Sequence, residues 1–207
     1  MSKEAVVLIH GLWLNGVDMS LLRHRLKKDF VTYQFSYNSV TGNPAENAEK
    51  LQHFLSTIEE NTIHFVAHSL GGLVVRYLFH NYPQQKPGRI VTLGTPHNQS
   101  HSAHQLFGFL PTRWLLGKSI DNGLMGEMPV WQGQRDLGSV AGTFRFGMGV
   151  IIPDLPEPND GTVAVEETQL ENMKDHCTFH LSHFGLLLST KVSNAIVKFL
   201  KEGEFQV

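Results

Sequence analysis

The chain has 207 residues, 41% of them hydrophobic and 17% charged, with a formal net charge of −2. That length sets one domain, spanning 1–207, as the expectation, and the composition is that of an ordinary folded protein rather than a disordered one. The near-neutral balance excludes a global attraction to nucleic acid or anionic membranes. The single cysteine, Cys177, excludes an internal disulfide framework and fits a reducing compartment, which makes the cytoplasm the expected location.

Met1–Glu4 leads into the apolar run Ala5–Ile9, too short for a signal segment and far too short to span a bilayer. That run reads as a buried strand, Met19–Lys28 as a helix with Leu21, Leu22 and Leu26 inward, and Val31–Tyr37 as a second strand. Pro44 suits the first turn of a helix from about Pro44 to Glu60, in which Ala48, Leu51, Leu55 and Ile58 recur at helical spacing. Thr62–Ala67 reads as strand, Gly72–Tyr82 as helix and Arg89–Leu93 as strand. Near-continuous apolar strands alternating with helices argue for a parallel sheet covered on both faces. The rhythm breaks after Gly94-Thr95-Pro96. From 97 to 134 the chain mixes helix-like pieces with glycine, proline and tryptophan, and reads as a cap or lid inserted over the carboxyl edge of the sheet. Strand pattern returns at Gly138–Phe144 and near Thr178–Leu181, and Thr190–Leu200 closes the chain as an amphipathic helix.

Within this frame, Ala67-His68-Ser69-Leu70-Gly71-Gly72 sits where a strand turns sharply into a helix. A serine there is forced into a strained backbone conformation, and the residues two positions away must be small to avoid the adjacent strand and helix. Ala67 and Gly71 meet that demand. A serine hydroxyl is a poor nucleophile and needs a base, an acid to orient the base, and donors for a developing oxyanion. In a parallel sheet such groups emerge at the carboxyl ends of strands.

His10-Gly11-Leu12-Trp13 follows the first strand, and its glycine lets the Leu12 N–H face the spot that the Leu70 N–H faces from the start of the helix. Asp160, in Asn159-Asp160-Gly161, is the acid candidate; Asp154 is its main rival, and Glu166 and Glu167, read on an exposed helical or turn segment, are lesser ones. His183 is the base candidate, with His180 (placed on a strand) and His176 (too early) as rivals. The order Ser, Asp, His is then complete. His68 reads as flanking the pocket or contacting the acid loop. Trp13 and Trp114, with Leu12, Phe107, Phe109 and Leu115, read as its apolar rim. The triplets His97, His101, His104 and His176, His180, His183 share one spacing, which on a helix would align three imidazoles. A zinc site is therefore an alternative, unaccompanied by cysteine pairs or an HExxH pattern.

These residues together carry a resemblance. On His10-Gly11-Leu12, the Ala67–Gly72 hexapeptide, Leu93-Gly94-Thr95-Pro96-His97, Asn159-Asp160-Gly161 and Ser182-His183-Phe184-Gly185, the chain resembles the α/β-hydrolase superfamily and looks like its small bacterial lipase and esterase members. The resemblance covers most of the chain, least at 98–135, and departs from the usual pattern in placing Ala67 where glycine is commoner. It implies a minimal α/β-hydrolase fold: about six mainly parallel strands, helices on both faces, and none of the first antiparallel strands of larger members. It also implies a nucleophile at Ser69, acid at Asp160, base at His183 and oxyanion donors at Leu12 and Leu70. The expected activity is hydrolysis of a small-molecule ester with an apolar acyl or alcohol group, without metal or organic cofactor. Acyl transfer and thioester cleavage on the same triad are the alternatives, and a non-catalytic binding module is a third.

Overall fold

A computed structural model describes residues 3–98, 128–146 and 155–205. The described strands are β1 (Ala5–Ile9), β2 (Val31–Phe35), β3 (Ile63–His68), β4 (Ile90–Leu93), β5 (Leu137–Gly142) and β6 (Asp175–Phe179). They form one sheet in the order β2-β1-β3-β4-β5-β6, every pair parallel. The described helices are α1 (Ser20–Leu26), α2 (Pro44–Leu55), α3 (Leu70–Asn81), α4 (Gly185–Leu188) and α5 (Thr190–Glu202).

β1, β3, β4 and β5 are buried at every position; β1, β4 and β5 carry only apolar or small residues, as strands covered on both sides require, and β3 adds the buried His64 and His68. Alternate residues divide between two cores. Ala5, Val7 and Ile9 pack with Leu51, Leu55, Val74 and Leu78 under α2 and α3; Val6 and Leu8 pack with Leu22, Leu26, Ile196 and Leu200 under α1 and α5. α2 starts on a capping box that Asn43 and Glu46 complete, with Pro44 in its first turn.

Several boundaries differ from the sequence expectation. The first helix is preceded by a 3-10 turn, Val17–Met19, and ends at Leu26; α2 ends at Leu55 instead of near Glu60; α3 begins at Leu70, directly after Ser69. The last strand lies three residues earlier than expected, at Asp175–Phe179, in register with β5 from Gly138↔Asp175 to Gly142↔Phe179. β6 is an edge strand with only Cys177 buried, so its sequence lacks the apolar run that marks a central strand.

Of the expected cap at 97–134, residues 99–127 lie outside the described residues, Trp114 among them. Its two ends are held together. The buried Arg76 of α3 donates to the His97 carbonyl at 2.5 Å and to the Pro129 carbonyl. Among the described residues, no helix is long and apolar enough to cross a membrane.

Candidate active site

The sheet reverses its direction of growth at β1: the chain steps to β2 on one side, then to β3 and onward on the other. In open parallel sheets the crevice at the carboxyl ends of the strands flanking such a point is where ligands bind. Here those strands are β1 and β3, paired from Ala5↔Ile63 to Ile9↔Ala67. Beyond that last pair come His10-Gly11 on one chain segment and His68, the end of β3, with Ser69 on the other.

Ser69 has φ 51° and ψ −123°, a conformation that costs a residue with a side chain about 1–3 kcal/mol. Its surroundings hold it there. The Ser69 N–H donates to the Leu93 carbonyl at 2.9 Å, and its own carbonyl accepts from the Gly72 N–H at 3.0 Å and from Thr95 Oγ1 at 2.9 Å. Gly71 meets the size demand strictly. A Cβ there would stand 2.7 Å from the backbone carbonyl oxygens of Ile9 and His10, neither of which can yield as a side chain would. Leu70 opens α3, where the first N–H groups have no intrahelical acceptor and lie at the positive end of the helix dipole.

The loop after β1 packs on the serine, with the Ser69 Cβ 3.0 Å from where a Gly11 Cβ would lie. His10 fixes this loop. Its Nε2 accepts from the Tyr37 N–H at 3.2 Å, so the ring proton is on Nδ1 and donates to the Gly11 carbonyl at 2.9 Å. Tyr37 closes the arrangement by donating its hydroxyl to the His10 carbonyl at 2.8 Å and stacking its ring 4.3 Å away. Burial lowers the His10 pKa, which keeps this tautomer neutral.

Asp160 lies in the loop between β5 and β6 and is 1% exposed. Its Oδ1 accepts from the N–H groups of Thr162 and Val163 at 2.9 and 2.8 Å, which leaves Oδ2 to accept from His183 Nδ1 at 2.7 Å. The His183 N–H also donates to the Asp160 carbonyl at 2.9 Å, so backbone and side chain lock the two loops in one register. With its proton on Nδ1, His183 presents Nε2 as a base. Gly94, at φ +54°, passes beneath this pair; a Cβ there would come within 2.9 Å of the His183 ring and 3.0 Å of Asp160 Oδ2. β3 pairs with β4 up to His68↔Leu93, so Gly94 is also the neighbour of Ser69 across the strand ends. Among the hydrogen bonds of the described residues there is none between Ser69 Oγ and His183 Nε2; such bonds are often long without substrate and tighten in the reactive complex.

His68 is buried, and it contacts the loop of His183 rather than the acid loop. Its Nε2–H donates to the His183 carbonyl at 3.3 Å, and the two rings lie 4.6 Å apart. Burial first, and the neighbouring His183 second, push its pKa well below the usual value. Trp13, 43% exposed, has φ 60°. Asp154 lies outside the described residues.

His176 is on β6 with its Nε2 2.9 Å from Thr168 Oγ1, whereas His180 lies just beyond the strand, exposed, rather than on it. With His183 placed before α4, this triplet does not share one helical face; of the other triplet, His101 and His104 lie outside the described residues. Among the described residues, no three His, Cys, Asp or Glu side chains are grouped to hold a metal ion. Glu167, expected on an exposed segment, is buried: its Oε2 accepts from the Ala164 N–H at 2.6 Å and its carbonyl from the His97 N–H at 2.7 Å. Sequence reasoning missed Tyr37, Thr95 and Glu167 as supports because the contacts of Tyr37 with His10, of Thr95 with Ser69 and of the Glu167 carbonyl with His97 join parts of the chain far apart in sequence.

Residues 6–106 match the model of a family described as a domain of unknown function, DUF7379. No curated protein matches the chain in sequence. Solved structures do match. The mature lipase BlEst2 of Bacillus licheniformis superposes with a TM-score of 0.76 at 17% identity, covering 96% of this chain and 91% of its own. The carboxyl esterase MGS0156, of metagenomic origin, gives 0.66 at 18% identity, covering 88% of this chain and 65% of its own. Carboxylesterase CesB of Bacillus subtilis gives 0.62 at 14% identity, over 98% and 85%. At such identities the likeness is one of fold, and with the six-stranded parallel sheet it shows that this chain has the α/β-hydrolase fold, in a minimal form.

Proposed function

We propose that the protein is a serine hydrolase of carboxylic esters, one domain with 97–134 as a cap over the site. The observation that carries this reading is the buried Asp160–His183 pair at 2.7 Å, on the same sheet edge as a serine held at φ 51° by backbone hydrogen bonds. In the proposed reaction Ser69 Oγ attacks the ester carbonyl carbon as its proton passes to His183 Nε2. The N–H groups of Leu12 and Leu70 receive the oxyanion, and the Asp160 carboxylate stabilises the imidazolium. His183 then returns the proton to the departing alcohol oxygen, leaving an acyl group on Ser69. Water, deprotonated by the same Nε2, releases the acid and restores the serine. Residues of this chain perform each step without a metal or organic cofactor. The substrate class is a small-molecule ester, and the cytoplasm is the location that a lone thiol, raised by burial to about 12 at Cys177, fits.

Ser69→Ala tests the mechanism. The folded variant should lose at least about 10³-fold in nitrophenyl ester hydrolysis and all labelling by a fluorophosphonate. Hydrolysis at the parent rate would overturn the assignment.

A further inference from the structure

An open groove of about 500 Å³ lies between the loops that follow β1 and β2, walled by Trp13, Leu14 and Asn15 on one side and Ser36 to Val40 on the other. It begins two residues beyond Gly11, which packs on Ser69, and its inner end is fixed by the hydrogen bonds between Tyr37 and His10. Three side chains that line it keep donors engaged by no other described residue. Asn15 Oδ1 accepts from the Val17 N–H at 3.2 Å, and Asn38 Oδ1 accepts from the N–H groups of Val40 and Thr41 at 3.1 and 3.0 Å. Those donors settle which amide atom is oxygen, and each side-chain NH₂ is left over as a fixed donor. Ser39 is only 3% exposed, yet its hydroxyl makes no hydrogen bond among the described residues. A hydroxyl that lines a groove and is engaged by no other described residue is open to a ligand atom. The φ of 60° at Trp13 is a second departure from relaxed geometry on the same wall, and such strain concentrates at ligand sites.

The sheet order indicates which part of an ester would lie here. As general acid, His183 must stand beside the leaving oxygen, and it arrives from the β5–β6 side together with Asp160. The alcohol therefore departs toward β4–β6, and the acyl chain extends the opposite way, over Leu12 and Trp13 toward β1 and β2. We propose that this groove is the acyl subsite and that it takes an acyl chain bearing a hydroxyl group, with the carbon chain against Trp13 and the hydroxyl on Ser39 Oγ and the Asn15 and Asn38 amides. This refines the ester with an apolar acyl or alcohol group that the sequence suggests, and it rests on the ester-hydrolase reading above.

The experiment compares kcat/KM for methyl esters of 3-hydroxybutyric, 6-hydroxyhexanoic and 8-hydroxyoctanoic acids, each against its unsubstituted parent, by pH-stat. The expected result is a preference for the hydroxy ester, at one chain length or more, of about three- to tenfold, the range one net hydrogen bond supplies. Ser39→Ala should cut that preference at least threefold, and Ser39→Thr, which keeps a hydroxyl, should retain more of it. The ratio is internal to each variant, so partial loss of folded protein does not move it. Hydrolysis of both members of every pair with no hydroxyl preference, or a preference that Ser39→Ala leaves intact, overturns the subsite and spares the hydrolase. Hydrolysis of none of the six esters, nor of a nitrophenyl ester, overturns both.

Discussion

Asp160 Oδ1 is occupied by two backbone N–H groups and Oδ2 by His183, so in the proposed reaction its carboxylate has one remaining task, to orient and stabilise that imidazole. Asp160→Asn keeps the size but can turn an NH₂ toward His183 Nδ1, favouring the tautomer with its proton on Nε2, where it cannot act as a base. The expected loss in kcat is about 10³–10⁴-fold, with the thermal unfolding midpoint close to the parent. Stopped-flow acylation with a nitrophenyl ester reads it, and a loss under tenfold would reassign the acid. The Asp160–His183 pairing and the turn at Ser69 were legible in the sequence because each residue sits in a turn whose local rule shows in its neighbours: small residues around Ser69, Asp-Gly at Asp160, a strand end before His183. The contact of His68 with the His183 carbonyl and the burial of Glu167 were not legible. Both depend on how loops far apart in the chain meet, and neither leaves a local pattern.

Among the elements, α3 does more than present Ser69. Its buried Arg76 satisfies the carbonyls of His97 and Pro129, on either side of the 99–127 segment, and burial lowers its pKa to about 10, still charged at neutral pH. Arg76→Leu keeps an apolar stem but leaves both carbonyls without this donor. Charge-assisted hydrogen bonds of this kind are worth about 1.5–3 kcal/mol each net, so the expected loss is at least about 2 kcal/mol in urea unfolding. A variant as stable as the parent would mean that water or backbone replaces the clamp. The central strands and the long helices were legible because burial on both faces or on one stripe writes its period into the sequence. β6 was displaced by three residues for the opposite reason. An edge strand carrying Asp175, His176 and Thr178 has little apolar pattern to read, and its register comes from pairing with β5. The clamp on the carbonyls of His97 and Pro129 had no signal beyond an arginine in an apolar helix.

On the scale of the whole molecule, the strand order places the Asp160–His183 pair, on the loops after β5 and β6, and the groove after β1 and β2 on opposite sides of one serine. The price of that packing is a set of buried histidines. His10, His64, His68, His97 and His176 all have pKa values lowered chiefly by burial, His97 to about 3 with Arg76 and His176 adding to the effect. Each therefore stays neutral in the folded protein at a pH where it would take a proton in the unfolded chain. Between about 6.5 and the folded value the unfolded chain binds more protons, so stability is full above pH 6.5 and falls as pH drops. The slope is about 1.4 kcal/mol per pH unit for each extra proton bound on unfolding. Carboxylates titrate near 4, so the window from 6.5 to 5 reports on the histidines. Urea unfolding across that window should show a steady loss of stability. His97→Gln, which cannot take the proton, should flatten the slope by its own share. Constant stability from pH 6.5 to 5 would mean that these histidines reach solvent protons without unfolding.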